Sequence, residues 1–306
     1  MPKENTHLKF AYELLEELQD HDILKDLSEN IRHYLFGSIS PDIFYYSKTK
    51  PLVRISEALH GKTGQLTNIP IIAMLEEADG PEDISFIMGY ITHCALDIAF
   101  HPTVYYLSGN YYDEDPAKRS SAVYMHRHLE TCLDKDLKNP FRFHKIIRTA
   151  LLKGHVYERI ISRDFAVDSQ TIRHVLRRQI ISNYLFTHKT AYRIFRTLTR
   201  LGLITDSAFL GLFYADTAYG DCLPQTIMMK DIITGEDRTT TVADLFSQAR
   251  KNALPMMKAA YGFRKGIVDR DELLKTIPGL SLDTGRLKVT PSSICYTKGE
   301  NSSPLP

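Results

Sequence analysis

Three polar side chains four residues apart, His93, Asp97 and His101, interrupt the most apolar stretch of the chain, Ile84 to Leu107. On an α-helix such residues lie one turn above another, so they form a nearly straight polar column on one side. An unpaired carboxylate buried there costs several kcal/mol and needs a cation or a hydrogen-bond partner. A divalent ion supplies what it needs: imidazole nitrogen and carboxylate oxygen at this spacing can grip one ion, and zinc accepts that mixture. The alternative is a His93–Asp97 couple that simply hydrogen-bonds in the core. His126 and Glu130 repeat the spacing further along, with His128 between them pointing elsewhere. Alone, that pair reads as a solvated helix face; two such columns on successive helices favour a metal site. His7, Asp42 in Gly37-Ser-Ile-Ser-Pro-Asp42, and His60 before Gly61 are further donors. Each of these three alone reads as a capping or surface residue.

The elements that must position these groups read as helices. Leu8 to Leu27 carries one apolar stripe, with His7 just before it. Asn68 to Asp79 predicts a short helix. Pro81-Glu82-Asp83 then opens the metal helix, proline and acids suiting a helix start. This helix should end near Phe100, because a residue before proline resists helical geometry and Pro102 follows His101. Ala117 to Asp136, Phe141 to Arg163, Asp168 to Leu201 and Thr239 to Gly262 predict further helices. Ile227 to Ile233 and Arg286 to Val289 are the strand candidates. The expectation is an all-α fold: one multi-helix domain over residues 2–275 and an irregular tail over 276–306, loose or frayed from Lys288.

Composition narrows the class. With 306 residues, 43% hydrophobic and 25% charged, the chain is long and apolar enough for a core, which excludes a disordered or collagen-like chain. The net charge of +1 gives no overall hint of nucleic acid. Charge is uneven, however: residues 141–200 hold 13 Lys and Arg against 3 Asp and Glu. Such a block suits phosphates or an anionic lipid surface, or is a solvated face docked on acidic helices. Cys94, Cys132, Cys222 and Cys295 are scattered and read as reduced thiols. No stretch resembles a signal peptide and no run of 18 uncharged apolar residues occurs, so a cytoplasmic location is expected.

Taken together, the ordered motifs resemble a known family. His7, G-S-x-x-P-D ending at Asp42, His60-Gly61, Gly89-Tyr90-x-x-His93-x-x-x-Asp97-x-x-x-His101-Pro102, then His126-x-x-x-Glu130 are similar to the zinc-dependent phospholipases C. That family is related to glycosylphosphatidylinositol-specific phospholipase D and, more distantly, to single-strand-specific zinc nucleases. The resemblance implies an all-helical fold with two or three zinc ions in a cleft. By analogy Asp42, His60, His93 and Asp97 hold the first ion, and His101, His126 and Glu130 the second. His7 and a bridging Asp97 hold the third, with main-chain atoms near the N-terminus. Secreted relatives use a free N-terminal Trp for the third ion; this chain has no Trp, and a Pro2 amine exposed by loss of Met1 would be the substitute. The implied reaction is phosphodiester hydrolysis by a metal-activated water, with Asp42 orienting that water or taking its proton. Phe44 and Tyr45 would line the cleft beside the substrate, and Tyr105-Tyr106 and Tyr111-Tyr112 would form a rim. The implied partner is a phosphodiester, phospholipid among them, with contact at an anionic membrane. A single-strand nuclease is the enzymatic alternative, and a non-catalytic, metal-stabilised binding protein is the other.

Overall fold

The computed structural model describes residues 3–111, 113–137, 142–216 and 223–298. Its first half comprises α1 (Glu4–Glu17), α2 (His21–Glu29), α3 (Ile31–Gly37), a 3-10 helix (Ser40–Tyr46), α4 (Lys50–Leu59), α5 (Ile69–Glu77), α6 (Pro81–Ser108) and α7 (Pro116–Asp136). The second half comprises α8 (Phe143–Ile146), α9 (Val156–Phe165), α10 (Ser169–Phe186), α11 (Lys189–Arg200), α12 (Val242–Arg264) and α13 (Arg270–Thr276). The strands β1 (Ile227–Lys230) and β2 (Asp237–Thr240) form one antiparallel hairpin, with Ile227 opposite Thr240. The protein is thus all-α.

α6 is the axis of the fold. It is long and apolar enough to cross a membrane by length and composition, yet 94% of that window is buried inside the protein, as befits a core helix. α3 and α12 run along it, and α1, α5 and α7 cover its other sides. The α3–α6 crossing depends on two glycines. A Cβ at Gly89 would stand 1.8 Å from the Tyr34 carbonyl oxygen, and one at Gly37 would stand 2.0 Å from that of Phe86. α6 starts at Pro81 as expected but continues through Pro102 to Ser108. Proline removes one ladder hydrogen bond. Burial of Thr103, Val104 and Tyr105 beyond it offsets this.

Several expected helices are broken by local hydrogen bonding. Asp20 accepts from the N–H groups of Asp22 and Ile23, starting α2 afresh, so Leu8 to Leu27 is not one helix. α1 begins at Glu4, which places His7 inside it rather than before it. The Phe141 to Arg163 stretch divides into α8, a 3-10 turn (Thr149–Leu152) and α9, whose start is capped by the His155 ring accepting from Tyr157 N–H. Asp168 to Leu201 breaks at Thr187-His188, where both side chains bond the Tyr184 carbonyl and compete with the helix ladder. α12 begins after Thr239-Thr240, which belong to β2, because Thr241 and Asp244 form a reciprocal cap. Arg286 to Val289 forms no strand: Lys288 has φ of 57°, outside any extended conformation.

The segment after α13 was expected to be loose. It is irregular but packed: Ile277, Leu282, Pro291 and Ile294 are buried. Asp231 anchors it, accepting from Ile233 and Thr234 N–H in the hairpin turn and from Arg286 Nη2 at 2.9 Å to each oxygen. These partners hold the Asp231 carboxyl at about 2, against a burial cost that acts the other way. The expectation of reduced thiols fails for Cys132, which is disulfide-bonded; Cys94 and Cys295 are free, and Cys222 lies outside the described residues.

Candidate metal centre

Asp42 sits in the 3-10 helix, where Pro41 suits a first-turn position. Ser56 on α4 fixes that turn: its hydroxyl donates to the Pro41 carbonyl at 2.6 Å and accepts from Phe44 N–H at 3.1 Å. The same helix ends at His60, so one element both braces Asp42 and delivers an imidazole. Gly61 then turns the chain with φ of 72°, a conformation that favours glycine. α6 supplies His93, Asp97 and His101, α1 supplies His7, and α7 supplies His126 and Glu130.

All eight expected ligands converge and all are buried. Their donor atoms form three groups: His7, His93 and Asp97; Asp42, His60 and His93; and His101, His126 and Glu130, each with its atoms within 4.8 Å of one another. Asp97 joins the groups. Its Oδ2 lies 3.1 Å from His93 Nε2 and 3.5 Å from His60 Nε2, and its Oδ1 lies 3.3 Å from His7 Nε2 and 4.0 Å from His101 Nε2. Asp42 Oδ1 is 3.2 Å from His60 Nε2, and His126 Nε2 is 2.9 Å from Glu130 Oε1. The His7 ring stacks on that of His93 with centroids 4.1 Å apart.

The orientation of the imidazoles is set from outside the cluster. His60 Nδ1 meets the Ser56 carbonyl at 2.6 Å, His93 Nδ1 that of Ser38 at 3.0 Å, and His101 Nδ1 that of Leu282 at 2.8 Å. A carbonyl only accepts, so each Nδ1 carries the proton and each Nε2 turns a lone pair inward. His60 and His93 then present Nε2 atoms 3.4 Å apart. Both Asp97 oxygens, Asp42 Oδ1, His101 Nε2 and both nitrogens of His7 are buried without a hydrogen-bond partner. Lone pairs and carboxylates facing one another in a dry interior require cations or protons between them. The nitrogen and oxygen donors suit zinc, so the residues fit the ion the motifs imply.

The protonation behaviour agrees. Burial alone would raise Asp97, but His93 and His101, with His60 and His7, hold its carboxyl well below the usual range. Burial pushes His101 down to about 3 and His126 well below its ordinary value, leaving both neutral and able to ligate. His60 is the exception. Against burial, Asp42 and Asp97 raise it to about 9, so without an ion this imidazole holds a proton in its place.

A cavity of about 430 Å³ opens onto the cluster, touching Asp42, His101, His126 and Glu130. Tyr45, Tyr46, Tyr105 and Tyr111 line it, with Lys62 and Arg127 adding positive charge. Tyr45, expected beside the substrate, is one of these lining residues. Phe44, by contrast, is fully buried in the main core, since the turn that brings Asp42 and Tyr45 to the cavity sends their neighbour the other way. Tyr112 and Pro2 lie outside the described residues. Four groups escaped the motifs. Lys3 and Glu4 line the cavity from the first turn of the fold, and Asp283 and the Leu282 carbonyl arrive from beyond α13. Asp283 Oδ1 sits 3.3 Å from His101 Nδ1 and accepts from Tyr105 OH at 3.1 Å. No spacing in the sequence marks Leu282 or Asp283; they lie about 180 residues from His101.

A helical bundle wrapped around a buried cluster of His, Asp and Glu donors, with a polar cavity above it, fits the zinc-dependent hydrolases. The zinc-dependent phospholipase C family profile matches residues 6–180, and the chain belongs to that family. The match spans all eight donors, while the covering loop with Leu282 and Asp283 lies beyond it. No curated protein and no solved structure matches the chain.

Proposed function

We propose that this protein hydrolyses phosphodiester bonds in the manner of a phospholipase C, with phospholipid as the leading substrate class. The observation that carries this reading is that Asp42 of one donor group and His101, His126 and Glu130 of another line one cavity that also holds cations and aromatic rings. His7, Asp42, His60, His93, Asp97, His101, His126 and Glu130 are the residues that would hold two or three zinc ions. When bound, zinc supplies Lewis acidity, polarising phosphoryl oxygens and acidifying a nearby water. Asp42 reaches the cavity from the braced 3-10 turn and is the residue proposed to orient the attacking water and take its proton. Lys62 and Arg127 offer charge to a phosphate, and the four tyrosines exclude bulk water around it.

Asp42→Asn tests the proposal together with elemental analysis. The expected result is about two or three zinc per chain in the native protein and hydrolysis of a diester panel. The variant should retain its fold and lose about 10²–10⁴-fold in turnover. Preference for single-stranded oligonucleotides over phospholipid would establish the nuclease alternative. Full zinc content without turnover on any diester would establish a structural metal role instead.

A further inference from the structure

The basic block noted in the sequence is not uniform once folded. Three of its arginines are paired with acids: Arg159 with Asp79 at 2.8 Å and with Asp83, Arg163 with Glu77, and Arg173 with Glu158 at 3.7 Å. α11 is different. Arg193, Arg196 and Arg200 are exposed on it with no ion-pair partner among the described residues. No acidic residue occurs from Ser169 to Thr205, whereas seven Lys and Arg do.

Among the described residues, α11 is also the one longer helix with no buried residue. Its inner side rests on an aromatic layer, with the rings of Tyr192 and Phe195 tilted against that of Phe213 at 5.7 and 5.8 Å. Its outer side is not the polar face that a solvated helix would show. Ile194 and Leu201, seven residues apart and so on one line, are 54% and 67% exposed. Thr197 lies between them with its hydroxyl bonded back to the Arg193 carbonyl. Gly202 ends the helix in a left-handed turn, with Leu203 N–H bonding the Leu198 carbonyl, and this projects Leu203 at 70% exposure. An apolar line beside a row of arginines without ion-pair partners complements an anionic bilayer surface. The leucines and isoleucine enter the headgroup region and the arginines meet lipid phosphates. A nucleic acid would reward the arginines but not the exposed aliphatic line.

The position of this face relates it to the cavity. Phe213 packs on Phe186 at 5.1 Å, and Phe186, Leu212 and Asp206 line the cavity above the metal centre. The aromatic layer is therefore a shared wall, with the cavity on one side and α11 on the other. We propose that α11 with the Gly202-Leu203 turn is an interfacial element that docks the protein on anionic lipid and sets the cavity beside the bilayer. This deepens the phospholipase reading and rests on it only for its purpose, not for the binding itself.

Co-sedimentation with vesicles tests the docking. The probes are phosphatidylcholine vesicles with and without about 30% phosphatidylserine, using the native protein and two surface variants. One variant is Ile194→Ser with Leu201→Ser and Leu203→Ser; the other is Arg193→Gln with Arg196→Gln and Arg200→Gln. Native protein should sediment with the anionic vesicles, and each variant should bind at least about tenfold more weakly. Hydrolysis of a soluble diester by either variant should stay at the native level. Absence of native binding to anionic vesicles overturns the proposal, as does equal binding by the serine variant. Arginine-dependent binding to single-stranded oligonucleotide without vesicle binding overturns it too. Vesicle binding by a protein that cleaves no diester would leave the docking intact and remove the phospholipase reading. Circular dichroism of the variants, whose changes are all at exposed positions, checks the fold; Leu203→Ser alone is the fallback.

Discussion

Asp97 faces His93, His60, His7 and His101, and it is the residue whose charge the cluster is arranged around. Without an ion, protons must balance it, and that makes stability depend on pH in two opposite ways. His60 has its folded value raised to about 9, so the stability it contributes is present below its unfolded value of about 6.5 and is lost as pH rises through 9. His101 is lowered to about 3, so its contribution is present above about 6.5 and is lost as pH falls toward 3. Chelated protein should therefore melt at its highest temperature near neutral pH and lose stability toward pH 9, whereas zinc-loaded protein should not show the alkaline loss. Thermal melts across pH 5 to 9, with chelator and with zinc, check this. An equal alkaline slope in both states would show that His60 is not a ligand.

The elements matter because one close crossing aligns the donors. Gly37 and Gly89 let α3 and α6 touch backbone to backbone, and the Ser38 carbonyl that orients His93 follows directly from this contact. Gly89→Ala would push a methyl group to 1.8 Å from the Tyr34 carbonyl, an atom that cannot give way like a flexible side chain. Such overpacking costs about 1–3 kcal/mol or more. The expected outcome is a lower denaturation midpoint together with reduced zinc content, measured by urea titration and elemental analysis. Unchanged stability would mean that the helices can separate without consequence for the site.

At the scale of the whole molecule, the chain closes on itself over the metal centre. The 277–298 segment returns past α13 and sets the Leu282 carbonyl and Asp283 against His101. Arg286 fastens it to Asp231 in the hairpin, and Leu282 N–H reaches the His60 carbonyl. Groups that orient a ligand imidazole are worth about 10- to 100-fold in metal affinity. Asp283→Asn should therefore weaken the binding of one ion by about that factor while leaving the fold in place. Competition with a zinc-sensitive chelator measures it. Undiminished affinity would assign Asp283 to the cavity wall alone.

The candidate metal donors on α6 and α7 were legible in the sequence because a four-residue spacing fixes neighbours within a single helix, whatever the rest of the chain does. All-α character was legible for the same reason, since helical periodicity is local. The helix ends were less so: Asp20, Thr187 and His188 redirect the backbone through side-chain bonds that periodicity does not contain. Pro102 misled because the burial beyond it outweighs one lost ladder bond. Asp42, His60 and His7 were placed at the site by resemblance; only the tertiary structure brings them to Asp97. Phe44 and Tyr45 were indistinguishable in sequence, and the direction of a single 3-10 turn sends one to the core and the other to the cavity. Leu282 and Asp283 had no local signal at all. The amino acids determined which donors exist and which share a helix; packing determined which meet, because contacts across about 180 residues depend on how whole helices cross.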